Sequence, residues 1–336
     1  MQKRQKNNTK IMQNQPLVSF IIPIYNTEPN LLRQCVESIM SLSLSQQERE
    51  IIIVDDGSEF TALNDLADLA DDILYLRQRQ QGLPSARNIG LRMSTGRFVQ
   101  FVDGHDKLIR APYEHCLDIA RYHNPDIVLF KTTTKDNDIE TPFTYDGPTT
   151  GSRYMRDHSI CADVWGYLFE RNILGYLKFD THLQSADEDF TPQLFLRSER
   201  FYSTDSVAYH NRQTTESAAA DSPTSQQSSF ADTERILLHL QSLVVPEQDR
   251  AALNRRIAQL TMEHLCNIIR STGDRQELEA ATERLRSHGL YPLPDRDYTK
   301  RYKYFRKMMS NKITRNILFV LIRRVFTTDY YSIFYR

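Results

Sequence analysis

RFVQFVDGHD, residues 97–106, is a short apolar strand that stops abruptly at two carboxylates flanking an imidazole. Phe98, Val99, Phe101 and Val102 carry the aromatic and β-branched character of a buried strand. Asp103, His105 and Asp106 follow at once. Carboxylate and imidazole side by side at the carboxyl end of a strand form a donor set for a divalent cation. A cation held there can carry a diphosphate. A polar turn after a buried strand would look the same in isolation, so the flanking segments carry the argument.

Upstream, Leu17–Tyr25 (LVSFIIPIY) is nearly all apolar, as expected of a strand buried on both faces. From Leu31 to Leu42 apolar residues recur at helical spacing, with Leu31, Cys35 and Ile39 on one row and Leu32, Val36 and Met40 on the next. Glu50–Val54 reads as a second strand that ends in Asp55-Asp56-Gly57-Ser58. The spacing predicts a helix over 61–70, a strand over 73–76 and a helix over 84–94 with Pro84 in its first turn. Downstream, 111–123 reads as a helix and 126–130 as a strand. Strands alternating with helices imply a parallel α/β sheet. Ligands of such sheets bind beyond the carboxyl ends of the strands. The polar clusters at 23–26, 55–56 and 103–106 all fall at that edge. No GxGxxG follows the first strand, which argues against a dinucleotide site, and no Walker-type loop is present.

Farther on, 131–156 is rich in Thr, Asp and Gly and is expected to loop outward. The stretch 206–210 reads as a last short strand, and 213–229 is Ser/Thr/Gln/Ala-rich, the composition of a linker or lid. Three segments beyond it carry helical periodicity. The expected organisation is a disordered basic arm over 1–16, an α/β domain over 17–215, a flexible linker over 216–230 and a helical region over 231–336 with a basic aromatic tail.

With 336 residues and a net charge of −1, the chain has room for about two domains and no global signature of nucleic-acid binding. Cys35, Cys116, Cys161 and Cys266 lie far apart, which argues against zinc and against a disulfide framework and fits a reducing, cytoplasmic setting. Between Arg301 and Arg336 nine bases are interleaved with aromatics and Asp329 is the only acid. Such a tail suits the inner face of a membrane, and it equally suits a terminal helix packed on the body.

The strings VSFIIPIYN, IIIVDDGS, GLPSARNIGL and GRFVQFVDGHD, then VWGYLFERNIL, DED before an apolar helix and VAYHNR, stand in an order that resembles family 2 glycosyltransferases of bacterial surface-polysaccharide type. The likeness runs over about residues 17–212 and implies the GT-A fold, a Rossmann-like, mostly parallel sheet with flanking helices. By that resemblance Pro23 and Tyr25 frame a nucleobase pocket, Asp56 accepts a hydrogen bond from the base, and Glu28 faces the ribose. Asp55-Asp56-Gly57-Ser58 also reads as a turn and helix cap, and Asp55 as structural. Arg87 and Asn88, early in a helix, would meet the diphosphate, or Arg87 would pair with Asp55 or Asp56. The family's usual run is Asp-x-Asp-Asp, and His105 here replaces the second aspartate. The expected cation is Mn²⁺ or Mg²⁺, held by His105 with Asp103 and Asp106; Asp103 is also a candidate for the ribose. Asp189 matches the family's catalytic base, and like charge from Asp187 and Glu188 would raise its proton affinity. Trp165 is a candidate for stacking on an acceptor sugar or for the core, and His210 and Arg212 for the diphosphate.

The chemistry agrees with the resemblance. A sugar nucleotide leaves as a nucleoside diphosphate, whose growing charge a cation stabilises. The acceptor hydroxyl is a poor nucleophile, so a carboxylate must take its proton. The resulting expectation is an inverting, metal-assisted transfer from a nucleotide-sugar donor, a UDP-sugar first among them, to a glycan or lipid-linked acceptor. A catalytically silent sugar-nucleotide-binding protein, permitted by His105, is the alternative; a nucleotidyltransferase is a third reading.

Overall fold

A computed structural model of the chain describes residues 15–135, 142–212 and 223–325. The N-terminal arm up to residue 14, the linker residues 213–222 and the tail residues 326–336 lie outside the described residues. Two compact units are present: 1–151 with 163–218, and 152–162 with 219–336.

The first unit is built on one nine-stranded sheet. Four strands, β1 (Val18–Ile24), β2 (Arg49–Asp55), β3 (Ile73–Arg77) and β4 (Phe98–Phe101), run parallel in the order β3-β2-β1-β4. Every residue of β1 and of β4 is buried, because helices cover both faces. On one face Val18, Phe20, Ile22 and Ile24 meet Leu32, Cys35, Val36 and Ile39 of α1 (Pro29–Met40) and Tyr113, Cys116 and Leu117 of α3 (Arg110–His123). On the other, Ile21 meets α2 (Leu83–Met93) so closely that Gly90 leaves no room for a side chain: a Cβ there would lie 2.2 Å from the Ile21 Cγ2. The predicted helix at 61–70 is a 3₁₀ segment, Asn64–Asp72.

Beyond β4 the sheet becomes mixed. The remaining strands are β5 (Lys107–Leu108), β6 (Ile127–Thr133), β7 (Tyr145–Thr149), β8 (Tyr167–Glu170) and β9 (Phe201–His210). β8 inserts antiparallel between β4 and β6. β9 runs parallel to β6 and antiparallel to β5 and β7. Two expectations change here. The segment expected to loop outward contains edge strand β7 and the short helix α4 (Gly151–Asp157); the Gly-Pro within β7 disguises a strand because proline is tolerated only at edges and bulges. The last strand is also twice as long as read, ten residues. Helix α5 (Asp187–Phe195) follows β8 and carries the Asp-Glu-Asp run in its first turn.

The second unit consists of α6 (Pro223–Ser242), α7 (Glu247–Thr272), α8 (Arg275–Ser287), α9 (Lys300–Met309) and α10 (Lys312–Val325), with 152–162. Helix α6 begins inside the stretch expected to be linker. Leu237, Leu253, Ile268, Leu285, Phe305 and Phe319 are among its buried core. Helix α7 ends at Gly273 in the left-handed region, φ +57°. Asp274 and Thr299 cap α8 and α9 through their side chains.

Candidate active site

The turn after β4 is held from three sides. Gly104 packs under the end of β1, where a Cβ would meet the Ile24 Cγ2 at 2.7 Å. The Asp103 amide donates to the Tyr209 hydroxyl at 3.0 Å, and that hydroxyl donates to the Asp106 Oδ2 at 2.7 Å. The Arg212 amide donates to the Asp106 Oδ1 at 2.7 Å, while its guanidinium donates to the His105 carbonyl at 3.2 Å and to Gln34 at 2.6 Å. Trp165, itself buried, stacks on Tyr209 with ring centres 5.0 Å apart. Trp165 is therefore a core residue that backs the turn.

Asp103, His105 and Asp106 each present one ligand atom, and those atoms all lie within 4.8 Å of one another. Asp103 and His105 are 21% and 33% exposed, whereas the Asp106 carboxylate is wholly buried. Burial pushes the Asp106 carboxyl up to about 6, the Asp103 charge adds to the rise, and the Arg212 amide, His105 and Tyr209 oppose it. Two carboxylates and an imidazole are a fitting set for a divalent ion of the Mn²⁺ kind. Asp103 and His105 are its accessible members. Asp106, with both oxygens already accepting hydrogen bonds, backs the turn 3.6 Å from the His105 Nε2.

Arg87 joins this turn to the acidic helix. Its side chain is 3% exposed, one Nη bonded to Asp187 and the other 3.8 Å from the Asp103 Oδ1. The guanidinium lies 5.8 Å from the Phe101 ring centre and 5.5 Å from that of Phe179. The pairing expected with Asp55 or Asp56 is not the one formed, and a guanidinium buried between two carboxylates acts as a strut. Burial, with Asp103 and Glu188 adding, pushes the Asp187 carboxyl up to about 6 against the pull of Arg87. Two residues on, Asp189 is 5% exposed and accepts from the Gln193 Nε2 at 2.9 Å. Asn88 pins the backbone of Phe179 through both its amide atoms, at 2.8 and 2.9 Å, and is a structural staple.

At the neighbouring edge, Pro23 is buried in β1 while Tyr25 is 45% exposed just past its end. Asn26 turns the chain at φ +49°, taking a hydrogen bond from the Glu59 amide and giving one to Ser58. Glu28 is exposed and accepts from Asn30. Asp55 is structural: buried, it accepts from Ser58 and from the Tyr75 hydroxyl at 2.7 Å. Asp56, 4% exposed, accepts from the Gln78 side chain and from the amides of Gln81 and Gly82 at 2.8 and 2.7 Å. Asp56 thus anchors the loop whose Gly82, at φ +91°, opens α2. Tyr209 was not singled out from the sequence: its position in an apolar-polar strand gives no hint that its hydroxyl bridges residues a hundred positions away.

The family described as Glycosyl transferase family 2 matches residues 19–171, the segment that runs from β1 through β8 and includes the cation-competent turn. The chain carries a family 2 glycosyltransferase domain. A similar curated protein is the "Uncharacterized glycosyltransferase EpsJ" of Bacillus subtilis, 29% identical over 214 residues, 59% of this chain and 61% of that protein. The chain spans less than two thirds of the length of such curated relatives. Two solved structures are similar to the family 2 fold seen here. Staphylococcus aureus TarS 1-349, crystallised with UDP-GlcNAc, has a TM-score of 0.59 at 17% identity over 87% of this chain and 91% of that one. The mannosyltransferase PcManGT of Pyrobaculum calidifontis, in complex with GDP-Man and Mn²⁺, has a TM-score of 0.56 at 15% identity over 93% of this chain and 86% of that one.

Proposed function

We propose that the chain is an inverting glycosyltransferase that moves a sugar from a nucleotide donor, a UDP-sugar first among candidates, to a hydroxyl of a glycan or lipid-linked acceptor in cell-surface polysaccharide synthesis. The observation that carries the reading is the Arg87 strut, which ties a cation-competent turn to the helix bearing Asp189. Tyr25 stacks on the base and Glu28 faces the ribose, both being exposed just past the end of β1. Asp56 keeps the loop beneath them in shape and offers the base its remaining lone pair. Asp103 and His105 would hold the divalent ion, with the Asp106 carboxylate 3.6 Å behind the imidazole. The bound ion supplies electrostatic stabilisation of the leaving diphosphate. Asp189 takes the proton of the acceptor hydroxyl as it attacks. A single displacement of this kind needs no enzyme nucleophile and inverts the anomeric centre. The reaction runs at the cytoplasmic face of a membrane that carries the acceptor.

Fold neighbours support the donor class: TarS is crystallised with UDP-GlcNAc and PcManGT with GDP-Man and Mn²⁺. The test is a donor screen that measures released nucleoside diphosphate with Mn²⁺, Mg²⁺ or chelator. Turnover that chelator abolishes is expected. Asp189→Asn should keep donor affinity within a few-fold while turnover falls by about 10² or more. No turnover with any donor, metal and lipid-linked acceptor would leave a silent sugar-nucleotide-binding protein as the correct reading.

A further inference from the structure

Helix α10 is apolar on two sides. Leu318, Phe319 and Ile322 are buried in the helical unit. Ile313, Ile317, Val320 and Leu321 are 72%, 51%, 41% and 45% exposed. At 3.6 residues per turn these four fall within an arc of roughly 100° facing away from the buried row. A helix at a protein surface ordinarily turns polar residues outward, and a contiguous exposed aliphatic stripe marks an interaction surface.

Charge identifies the occupant. The segment from Lys300 to Val325, which holds α9 and α10, contains nine Lys and Arg and no Asp or Glu. Lys303, Arg306 and Arg315 are paired with Asp297, Asp295 and Glu279 and add little outward charge. Arg301, Lys307, Lys312 and Arg323 are exposed. A second copy of the chain would bring the same bases face to face. An anionic lipid surface accepts the aliphatic stripe and the bases together. No described helix is long and apolar enough to cross a membrane, which leaves contact in the interface plane. We infer that the α9–α10 hairpin rests on an anionic bilayer surface, with Ile313, Ile317, Val320 and Leu321 entering the headgroup region and the bases meeting lipid phosphates. The inference deepens the lipid-linked acceptor proposed above and rests on that reading for its purpose.

The experiment is co-sedimentation of the full chain with vesicles of phosphatidylcholine, alone or mixed with phosphatidylglycerol. The wild type should bind the mixed vesicles in a salt-sensitive way and the neutral ones weakly. Ile317→Asp with Leu321→Asp should cut binding about tenfold or more, and Lys307→Glu with Lys312→Glu should cut it on mixed vesicles only. Thermal melts check that folding is kept, and Ile313→Ser, at the most exposed position, gives a milder variant. Equal binding of wild type and variants, or no binding by the wild type, overturns the inference. So does a dimer in sedimentation velocity that the aspartate variant dissolves, which would assign the stripe to a second copy. Donor turnover, read in solution on the same preparations, tests the reaction separately: turnover without vesicle binding sinks only the membrane face.

Discussion

Asp106 is the residue on which the site's design turns. It is fully buried beside Asp103, and its carboxyl is held at about 6. The folded chain therefore keeps a proton that the unfolded chain releases between about pH 4 and pH 6. A group raised in this way makes stability fall as pH rises through that window. Asp106→Asn should then be more stable than the wild type at pH 7–8 in the absence of cation, by about 2 kcal/mol. The gap should close as pH approaches 4. Chemical denaturation across that range is the check, and a wild type that is the more stable throughout would show that the Tyr209 and Arg212 hydrogen bonds outweigh burial. Part of this scale was legible in the chain: the abrupt stop at Asp103 marks the turn that follows the strand, and Asp187-Glu188-Asp189 mark the start of a helix, of which they form the first turn. The partner of Arg87 was not, because Asp187 lies a hundred residues away and only the fold brings it near. Asp56 shows the opposite limit. Its residue type fits base recognition, yet the structure first uses it to hold a loop.

At the scale of elements, the parallel half reads cleanly because β1 and β4 are buried throughout and β2 over its last five residues, and α1 keeps a regular apolar row. Gly90 is the tightest point of that layer. Gly90→Ala gains up to about 1 kcal/mol in helix propensity. It also drives a methyl to within 2.2 Å of the Ile21 Cγ2, an overpacking that costs about 1–3 kcal/mol or more. The variant should lose stability by about 2 kcal/mol, and adding Ile21→Ala should recover part of the loss in a double-mutant cycle. A neutral Gly90→Ala would mean that α2 shifts freely on the sheet. The second half of the sheet was read less well for a physical reason. β7 holds Gly147 and Pro148 at an edge, whereas β9 is paired on both sides and hides its first half because Ser203, Thr204 and Asp205 interrupt its apolar residues. Edge strands keep one side for solvent and lose the apolar run that announces a central strand.

Across the whole molecule, the chain forms two compact units. The α/β unit collects the exposed Tyr25 and Glu28, the turn at Asp103–Asp106 and the acidic start of α5 around its sheet. In the helical unit one face of α10 is buried, at Leu318, Phe319 and Ile322, and the opposite face is exposed; the packed reading of the tail describes the first face, and the membrane reading is the proposal made for the second. His105 stands where the resemblance leads one to expect an aspartate, and the cation-competent set it forms with Asp103 and Asp106 is the centre of the proposed reaction. The most direct test is an anomalous-scattering map from crystals of the full chain grown with Mn²⁺ and UDP. One strong peak is expected at ligand distance from Asp103 and His105, with the nucleotide's phosphates on its open side and Asp189 facing it. A nucleotide bound with no metal at this turn, or a metal held elsewhere, would contradict it.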